Sequence, residues 1–358
     1  MFTGLKQQIK GTPLYFDLAT DYTYYFRQEP DDGNQLDQHL ANFNLTGHQM
    51  ELYPRLYLPI QFRHYFLFEP SIGYRQTFWY IDDMPENRDH PNDTPHYLSR
   101  DFYDLKSELS TEIFHIYPIN RSSVSKIRHT IKPQLTWEYI PDNDFYKYPY
   151  FENDIEKTNI ITLSLINMFT AKSVFQGTDS AEHASSYRQF MRLLIEQAFN
   201  LNTNTPSSWI DQNDDLSPLF AEVKLYPLDT LELTGDMKWS HKKKRIVSKN
   251  VKTAVSTKRG DMVSLEYRQK SDDATPENTG ESIALSLNLV LTEKLSVYSD
   301  YERNILEGQY IKRRLGFLFK KQCWEIELNY IDEDDDQKFG ILVNLKGLGE
   351  LETNFSGP

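Results

Sequence analysis

The sequence predicts an all-β protein: an antiparallel transmembrane β-barrel with about 16 strands present, part of a larger barrel. Three observations carry this reading. First, Ile283-Ala-Leu-Ser-Leu-Asn-Leu-Val-Leu-Thr292 alternates, with Ile283, Leu285, Leu287, Leu289 and Leu291 on one face and Ala284, Ser286, Asn288, Val290 and Thr292 on the other. A strand sends successive side chains to opposite faces, so one face is apolar and the other mostly polar. Second, the connections between such segments alternate short and long, the wiring of an outer-membrane barrel. Third, no stretch reaches the roughly 18 uninterrupted apolar residues of a membrane helix, although Tyr and Phe, both strand-favouring, number 23 and 21.

The strands are expected, in order, near 13–26, 44–60, 64–80, 99–116, 126–140, 156–168, 187–200, 218–226, 229–240, 247–256, 260–270, 281–291, 294–303, 309–319, 322–331 and 338–346. Most reach the roughly 9–11 residues that a tilted strand needs to cross a bilayer. Short connections fall near 61–63, 227–228, 257–259, 292–293 and 320–321. Longer polar ones fall near 27–43, 81–98, 141–155, 201–217, 241–246, 271–280, 304–308 and 332–337. Pro30-Asp-Asp-Gly-Asn34, the stretch from Pro85 to Pro95 and Pro206-Ser-Ser208 lie in the long ones, where proline removes no ladder hydrogen bond. Two connections break the alternation: 117–125 is moderate and 169–186 is long where short ones are due. Next to the second, Tyr187–Asn200 fits two readings. Phe190, Leu193, Leu194 and Ala198 share a helical face, whereas the wiring favours a strand. Residues 1–12 read as a truncated lead-in, 13–350 as the barrel domain and 351–358 as a C-terminal tail.

The same two-faced pattern recurs along the chain. Leu135, Trp137 and Tyr139 oppose Gln134, Thr136 and Glu138, and Leu105, Leu109 and Ile113 oppose Asp104, Lys106, Glu108 and Glu112. Trp324, Ile326, Leu328 and Tyr330 oppose Glu325, Glu327 and Asn329, while Leu315, Phe317 and Phe319 oppose Lys312 and Arg314. Arg313 breaks the last pattern and belongs near a membrane boundary, because Arg facing lipid at mid-bilayer costs about 2–4 kcal/mol. A soluble β-sandwich alternates too, but its strands run about 5–6 residues and it gives no reason for the loop wiring.

Composition narrows the function. The net charge of −13 argues against a nucleic-acid partner, which demands basic surface. The acidic run Asp332–Asp336 reads as a solvated loop rather than a metal site. The nine His residues show no zinc-binding spacing, and no nucleophile-elbow, dinucleotide or phosphate-loop motif occurs, so the chain reads as no enzyme, without cofactor or metal. His129, on the apolar face, reads as structural, and Glu108, Glu112, Glu325 and Glu327 as polar lining. A single cysteine, Cys323, leaves no disulfide within the chain. Met1–Lys10 lacks the apolar core of a secretory signal, so the sequence reads as the C-terminal part of a longer protein.

Ile127–Pro141, Cys323-Trp324, Glu327-Leu328, Leu345–Gly349, Leu52–Pro59 and Pro70–Arg75 together resemble the lipopolysaccharide-assembly family LptD, also called OstA or Imp. Ile127-Arg-His-Thr-Ile-Lys-Pro-Gln-Leu-Thr-Trp-Glu-Tyr-Ile-Pro141 is similar to the family's R-H-T-I-x-P strand. Cys323-Trp324, Glu327-Leu328 and Leu345-Lys-Gly-Leu-Gly349 resemble its closing strands, and Leu52–Pro59 and Pro70–Arg75 also match. The resemblance implies an outer-membrane barrel of roughly 26 strands in a Gram-negative bacterium, inserting lipopolysaccharide into the outer leaflet through a lumen and a lateral gate. It implies an LptE-like plug lipoprotein in the lumen and an LptA-like periplasmic bridge acting through an N-terminal domain that this sequence lacks. Lumen cations Arg128, Lys132, Lys312 and Arg314 then become candidate contacts for the anionic head group, or plain lining, or plug contacts. The strand carrying Ile341, Val343 and Leu345, read as the last, becomes one side of the lateral gate. Cys323 either pairs with a cysteine of the N-terminal region, as the resemblance implies, or is a free thiol. The alternatives are a self-contained porin of about 16 strands and a soluble all-β glycan-binding protein.

Overall fold

A computed structural model describes residues 2–27, 45–63, 65–81, 96–119, 124–142, 155, 157–176, 183–202, 215–271, 279–333, 336–345 and 349–356. All regular structure among them is β-strand. The strands are β1 (Phe2–Gln8), β2 (Tyr15–Arg27), β3 (Leu45–Tyr57), β4 (Ile60–Phe62), β5 (Phe66–Ile81), β6 (Tyr97–Ser110), β7 (Ile113–Pro118), β8 (Lys126–Ile140), β9 (Thr158–Gln176) and β10 (His183–Asn200). They continue with β11 (Leu219–Leu228), β12 (Leu231–Ser240), β13 (Arg245–Ser256), β14 (Met262–Ser271), β15 (Thr279–Thr292), β16 (Leu295–Asn304), β17 (Tyr310–Lys320), β18 (Trp324–Glu333), β19 (Asp336–Leu345) and β20 (Gly349–Ser356). Every pairing among the described residues is antiparallel and links near neighbours in sequence, as a meander requires.

The chain forms two compact units. One comprises Met1–Glu112, Pro133–Leu163 and Ala198–Ser217, and the other Ile113–Lys132, Ser164–Gln197 and Pro218–Pro358. In the first, β2 pairs with β3 along thirteen residues from Tyr15↔Tyr57 to Arg27↔Leu45, and β5 pairs with β6 from Leu67↔Ser110 to Tyr80↔Tyr97. In the second, β13 to β15 and β17 to β20 pair without a register shift. Period-2 alternation pins register here, because a one-residue slip would turn every leucine of β15 to the polar face.

Among the described residues there are twenty strands where about 16 were expected, in the all-β antiparallel class that the sequence predicts. β1 lies within the expected lead-in, and β20 runs through the expected tail. β4 and β7 arise where longer strands are interrupted. Leu58-Pro59 separates β3 from β4, both paired to β5, since proline cannot donate to the ladder. Thr111-Glu112 separates β6 from β7, both paired to β8, with Thr111 N–H donating to the Pro133 carbonyl at 3.2 Å. The anomalous connection at 169–186 shrinks to 177–182, because β9 and β10 both run further than their apolar pattern. Tyr187–Asn200 is strand, paired to β11 from Met191↔Leu225 to Glu196↔Phe220.

Of the expected short connections, those near 227–228, 257–259 and 292–293 are tight turns, whereas 61–63 is largely taken up by β4. In 257–261, Gly260 takes φ 101°, a left-handed conformation that glycine adopts without strain. Asp261 closes the turn by accepting from Arg259 (2.9 Å), Thr257 Oγ1 (2.9 Å) and Val290 N–H (2.9 Å). Those donors, the Arg259 guanidinium foremost, pull its carboxyl down to about 2.

The distribution of polarity decides between the membrane and soluble readings. Among the described residues, the buried polar set includes Gln49, Ser71, Thr77, Arg100, Asp104 and Ser264, while the buried apolar set is Trp79, Ile81, Phe102, Ile160 and Ala171. Arg100 is 3% exposed and Asp104 7%, yet Leu315 is 44% exposed and Phe317 45%. A water-soluble sandwich buries Leu and Phe and exposes charge. This protein does the reverse, as a wall with lipid on its apolar side requires. Exposed Tyr22, Tyr24, Phe26, Tyr80 and Tyr97 gather at the loop ends of β2, β5 and β6, with His48 stacked between Tyr22 and Tyr80. Amphipathic rings at a strand end suit a membrane–water boundary. Arg313 lies near its strand's end, its guanidinium 3.8 Å from the Tyr310 ring.

Candidate functional site

The chemistry of this protein lies on its polar face, and each unit builds that face from cross-strand partners. Directly paired residues of antiparallel strands share a face. In the first unit, the face carries Asp17 of β2, Tyr53, Arg55 and Tyr57 of β3, Ser71, Gly73 and Arg75 of β5, and Asp104 of β6. Tyr53 Oη donates to Asp104 at 2.7 Å, and the Arg55 guanidinium contacts both groups. Tyr57 donates to Asp17 at 2.5 Å, and Arg75 lies 4.5 Å over the Tyr53 ring. Gly73 makes this possible: a Cβ there would stand 2.8 Å from the Tyr53 ring and collide with Asp104.

The second unit carries a belt of paired charge. Arg192 donates to Glu222 at 2.5 Å, and Lys224 lies 3.2 Å from the same carboxylate. Arg268 bridges Glu266 (2.8 Å) and Glu302 (3.1 Å). Arg314 donates to Glu327 and to Tyr298 Oη, both at 3.0 Å, while Tyr298 donates to Glu327. Gly316 leaves the space in which the Tyr298 ring lies, and any Cβ there would overlap it. Tyr53 over Gly73 and Tyr298 over Gly316 are thus the same device: a tyrosine crosses the glycine of the next strand to reach a carboxylate on the strand beyond.

The residues singled out from sequence fall as follows. Lys312 and Arg314 do share this face, but neither stands alone: Lys312 is bridged to Glu333 and Arg314 to Glu327. Arg128 and Lys132 share a face of β8 with Thr130. Arg128 is exposed, its guanidinium 4.3 Å over the Phe114 ring, and Lys132 is half-buried. Of the lining carboxylates, Glu325 sits 3.3 Å from Lys320. His129 is structural in its contacts, stacked on Phe169 at 4.2 Å and hydrogen-bonded to Asn167 at 3.2 Å. Cys323 is exposed in the turn between β17 and β18.

One placement is corrected. Ile341, Val343 and Leu345 lie on β19, which is not the last strand. β19 pairs with β18 on one edge (Ile341↔Leu328) and with β20 on the other (Ile341↔Thr353), so both its edges are occupied. Sequence reasoning passed over Tyr53, Arg55, Asp104 and Tyr298. The available signal was a polar-face tyrosine followed, on the next strand, by a mid-strand glycine, directly opposite for Tyr298 and one pair along for Tyr53.

Residues 2–298 match the family described as LptD, LPS transport system D. The LPS-assembly protein LptD of Nitrosococcus oceani is 24% identical over 86% of this chain and 42% of its own. That of Coxiella burnetii is 21% identical over 63% of this chain and 30% of its own. The chain therefore spans less than half the length of these relatives. Among solved structures, the open form of the ferric-catecholate import receptor Fiu of E. coli K12 covers 98% of the chain and 66% of its own at 11% identity. The TM-score of that match is 0.36.

Proposed function

Since this chain belongs to the LPS transport system D family, we propose that it forms part of the wall of an outer-membrane lipopolysaccharide translocon in a Gram-negative bacterium. The observation that carries the reading is the reversed polarity of the strands: leucine and phenylalanine exposed on one face, paired charge on the other. Lipopolysaccharide has an anionic sugar-rich head and several acyl chains. The polar face supplies a hydrated path for the head, and the wall separates that path from lipid. The part played is a passive conduit, with no catalytic step assigned to any residue.

Arg128, Lys132, Lys312 and Arg314 are the cations we propose for head-group contact or for lining the path, Lys312 and Arg314 from within ion pairs with Glu333 and Glu327. With β19 paired on both edges, the gate strand of the proposed lateral opening is β20. An LptE-like plug and an LptA-like bridge are the partners this function calls for, the latter through a domain outside this chain. Cys323, exposed in its turn, is proposed either to pair with a cysteine outside the chain or to remain a thiol. The residue blocks 13–350 and 351–358 then form one wall, because β20 runs across that boundary.

Depleting the full-length protein in its own bacterium tests the reading. Surface lipopolysaccharide, assayed by labelling intact cells, is expected to fall while the lipid accumulates inside. Unchanged surface lipopolysaccharide with impaired uptake of small solutes would refute it and favour the porin reading.

A further inference from the structure

We propose that the outer ends of β2, β3, β5 and β6 carry a sugar-binding row for the saccharide head of a glycolipid whose acyl chains lie against the same wall. The row requires of the proposed function only that the strands cross a membrane with their long connections outward. Directly paired residues share a face, and the registers carry one aromatic row across all four strands: Tyr24↔His48, His48↔Tyr80 and Tyr80↔Tyr97. The ring centroids stand 5.0, 6.2 and 4.8 Å apart in that order. Tyr24, Tyr80 and Tyr97 are exposed, and Tyr22 Oη lies 2.7 Å from His48 Nδ1. At about 4.8 Å between strands, the row runs about 14 Å along the wall.

The row stands outward of the hydrocarbon. It lies at the strand ends that lead into the long connections 28–44 and 82–96, the extracellular side of such a wall. About 13 Å inward along β6, Asp101 occupies the same face, exposed, with Gln76 paired beside it. A carboxylate is costly against hydrocarbon. Lipid tails therefore begin inward of Asp101, where Tyr74 pairs with Tyr103 and exposed Ile72 with Leu105. Tyr74 reaches outward from that level, its Oη 3.3 Å from the Asp101 carboxylate, as an amphipathic ring does at the edge of the tails. The four-ring row stands further out on the same face, at head-group height.

Continuity and charge choose the occupant. The lipids whose tails cover Ile72 and Leu105 present their heads to the ring row above. Between that row and Asp101 the face carries Tyr22, Met50, Phe78 and Ser99, none of them a Lys or Arg. A phosphate head group finds no ammonium or guanidinium in this row and is repelled by Asp101. A sugar ring suits the same surface. Its C–H groups, slightly positive, pack on the negative faces of the Tyr and His rings, while its hydroxyls reach Tyr Oη and the Asp101 carboxylate.

The test reconstitutes the full-length protein, with a photoreactive phenylalanine analogue at Tyr97, into phosphatidylethanolamine bilayers. These contain lipopolysaccharide of the same bacterium, its sugar-truncated form that keeps the phosphates, or phosphatidylglycerol. Adducts with the first are expected to carry sugar, and the yield to fall about five-fold in the other two. Tyr80→Leu, which keeps an apolar side chain, is expected to lower the sugar adduct about five-fold and Tyr80→Trp to preserve it, with electrophoretic mobility without heating reporting that each is folded. The lipid series itself needs no change at Tyr80. The analogue at Ile72 is the lipid-facing control, expected to label acyl chains equally in all three bilayers. Equal yields at Tyr97 from the three, adducts confined to acyl chains or phospholipid, no adduct, or a yield indifferent to Tyr80→Leu in the folded protein would overturn the proposal. Lipopolysaccharide is supplied in the bilayer and needs no delivery, so this proposal and the translocon reading fail separately.

Discussion

Exchanging one residue for arginine at two adjacent positions of β15 separates the faces most directly. Leu287 pairs with Val263 on β14 and Ser299 on β16, and its face also carries the exposed Leu285 and Leu265. Ser286 pairs with the buried Ser264 on one side and with Asp300 on the other. Leu287→Arg sets a guanidinium among lipid-facing aliphatics near the middle of a 14-residue strand. The cost of Arg near the bilayer midplane is about 2–4 kcal/mol. At 1.4 kcal/mol per decade, that lowers the folding equilibrium constant about 30- to 700-fold. Ser286→Arg sets the same group on the hydrated face beside the Asp300 carboxylate, where an ion pair contributes at most about 1 kcal/mol. The assay is refolding from urea into lipid vesicles, read as the folded fraction by electrophoretic mobility without heating. Leu287→Arg is expected to shift the urea midpoint down strongly and Ser286→Arg to leave it nearly unchanged. Equal midpoints would refute the face assignment, and the reverse order would place lipid on the charged side.

Other outcomes follow from particular contacts. Gly316→Ala forces a methyl into the Tyr298 ring and is expected to cost about 1–3 kcal/mol in urea unfolding; in a Tyr298→Ala background the same change should cost little, and equal costs in both would deny the contact. Arg314→Ala leaves the half-buried Glu327 without its cation and is expected to destabilise by on the order of 1–2 kcal/mol, with Tyr298→Phe adding less than its separate effect because the three groups share one network. The Asp261 carboxyl sits at about 2 in the folded turn, below its unfolded value. Its contribution is therefore complete above the unfolded pKa and lost as pH falls through about 2. Asp261→Asn should flatten that acid limb of the stability profile, and an unaltered limb would assign it elsewhere. Cys323, exposed in its turn, is expected to react with a maleimide in the folded chain without denaturant, and a protected thiol would contradict the placement.

How much of this was legible in the sequence depended on which force set each feature. β15, β17 and β18 were readable because lipid on one side and water on the other imprint a period of two. The ends of β9 and β10 were not, because Lys172, Ser173 and Arg188 interrupt the apolar alternation while the ladder continues. β1 and β20 were missed for a related reason: Phe2–Gln8 and Gly349–Ser356 are short, polar strands defined by pairing to a neighbour that no local pattern reveals. The breaks at Pro59 and Thr111 show the converse, since one proline divides a strand whose alternation carries straight on. Lys312 and Arg314 were identified on the correct face from alternation alone. Their partners were not, because Glu333 and Glu327 are brought to them by cross-strand register. That β19 is not the last strand was hidden for want of the same long-range fact, its pairing to β20.

The pairing of the wall's charges bears on what such a wall does to an anionic cargo. A lone arginine on a path would grip phosphate through charge-assisted, bidentate hydrogen bonds and hold it. Arg314 and Arg268 already direct their donors at carboxylates, so a passing phosphate must displace Glu327 or Glu266 to gain the same contact. Displacement leaves a half-buried carboxylate uncompensated, and that penalty offsets the new bond. The exchange is close to neutral, which favours a surface that wets an anionic sugar head without trapping it. The tyrosine struts serve the same end. By spanning three strands, Tyr53 and Tyr298 fix the arginine–carboxylate geometry from which the neutrality arises, and each depends on a glycine with no side chain of its own. On this argument, replacing Glu327 by Gln would do more than loosen the wall. It would uncover Arg314, and the proposed conduit would then bind lipopolysaccharide more tightly and release it more slowly. A slower appearance of the lipid at the cell surface, with more of it co-purifying with the protein, is the expected signature. Unchanged retention would show that the belt is passive lining.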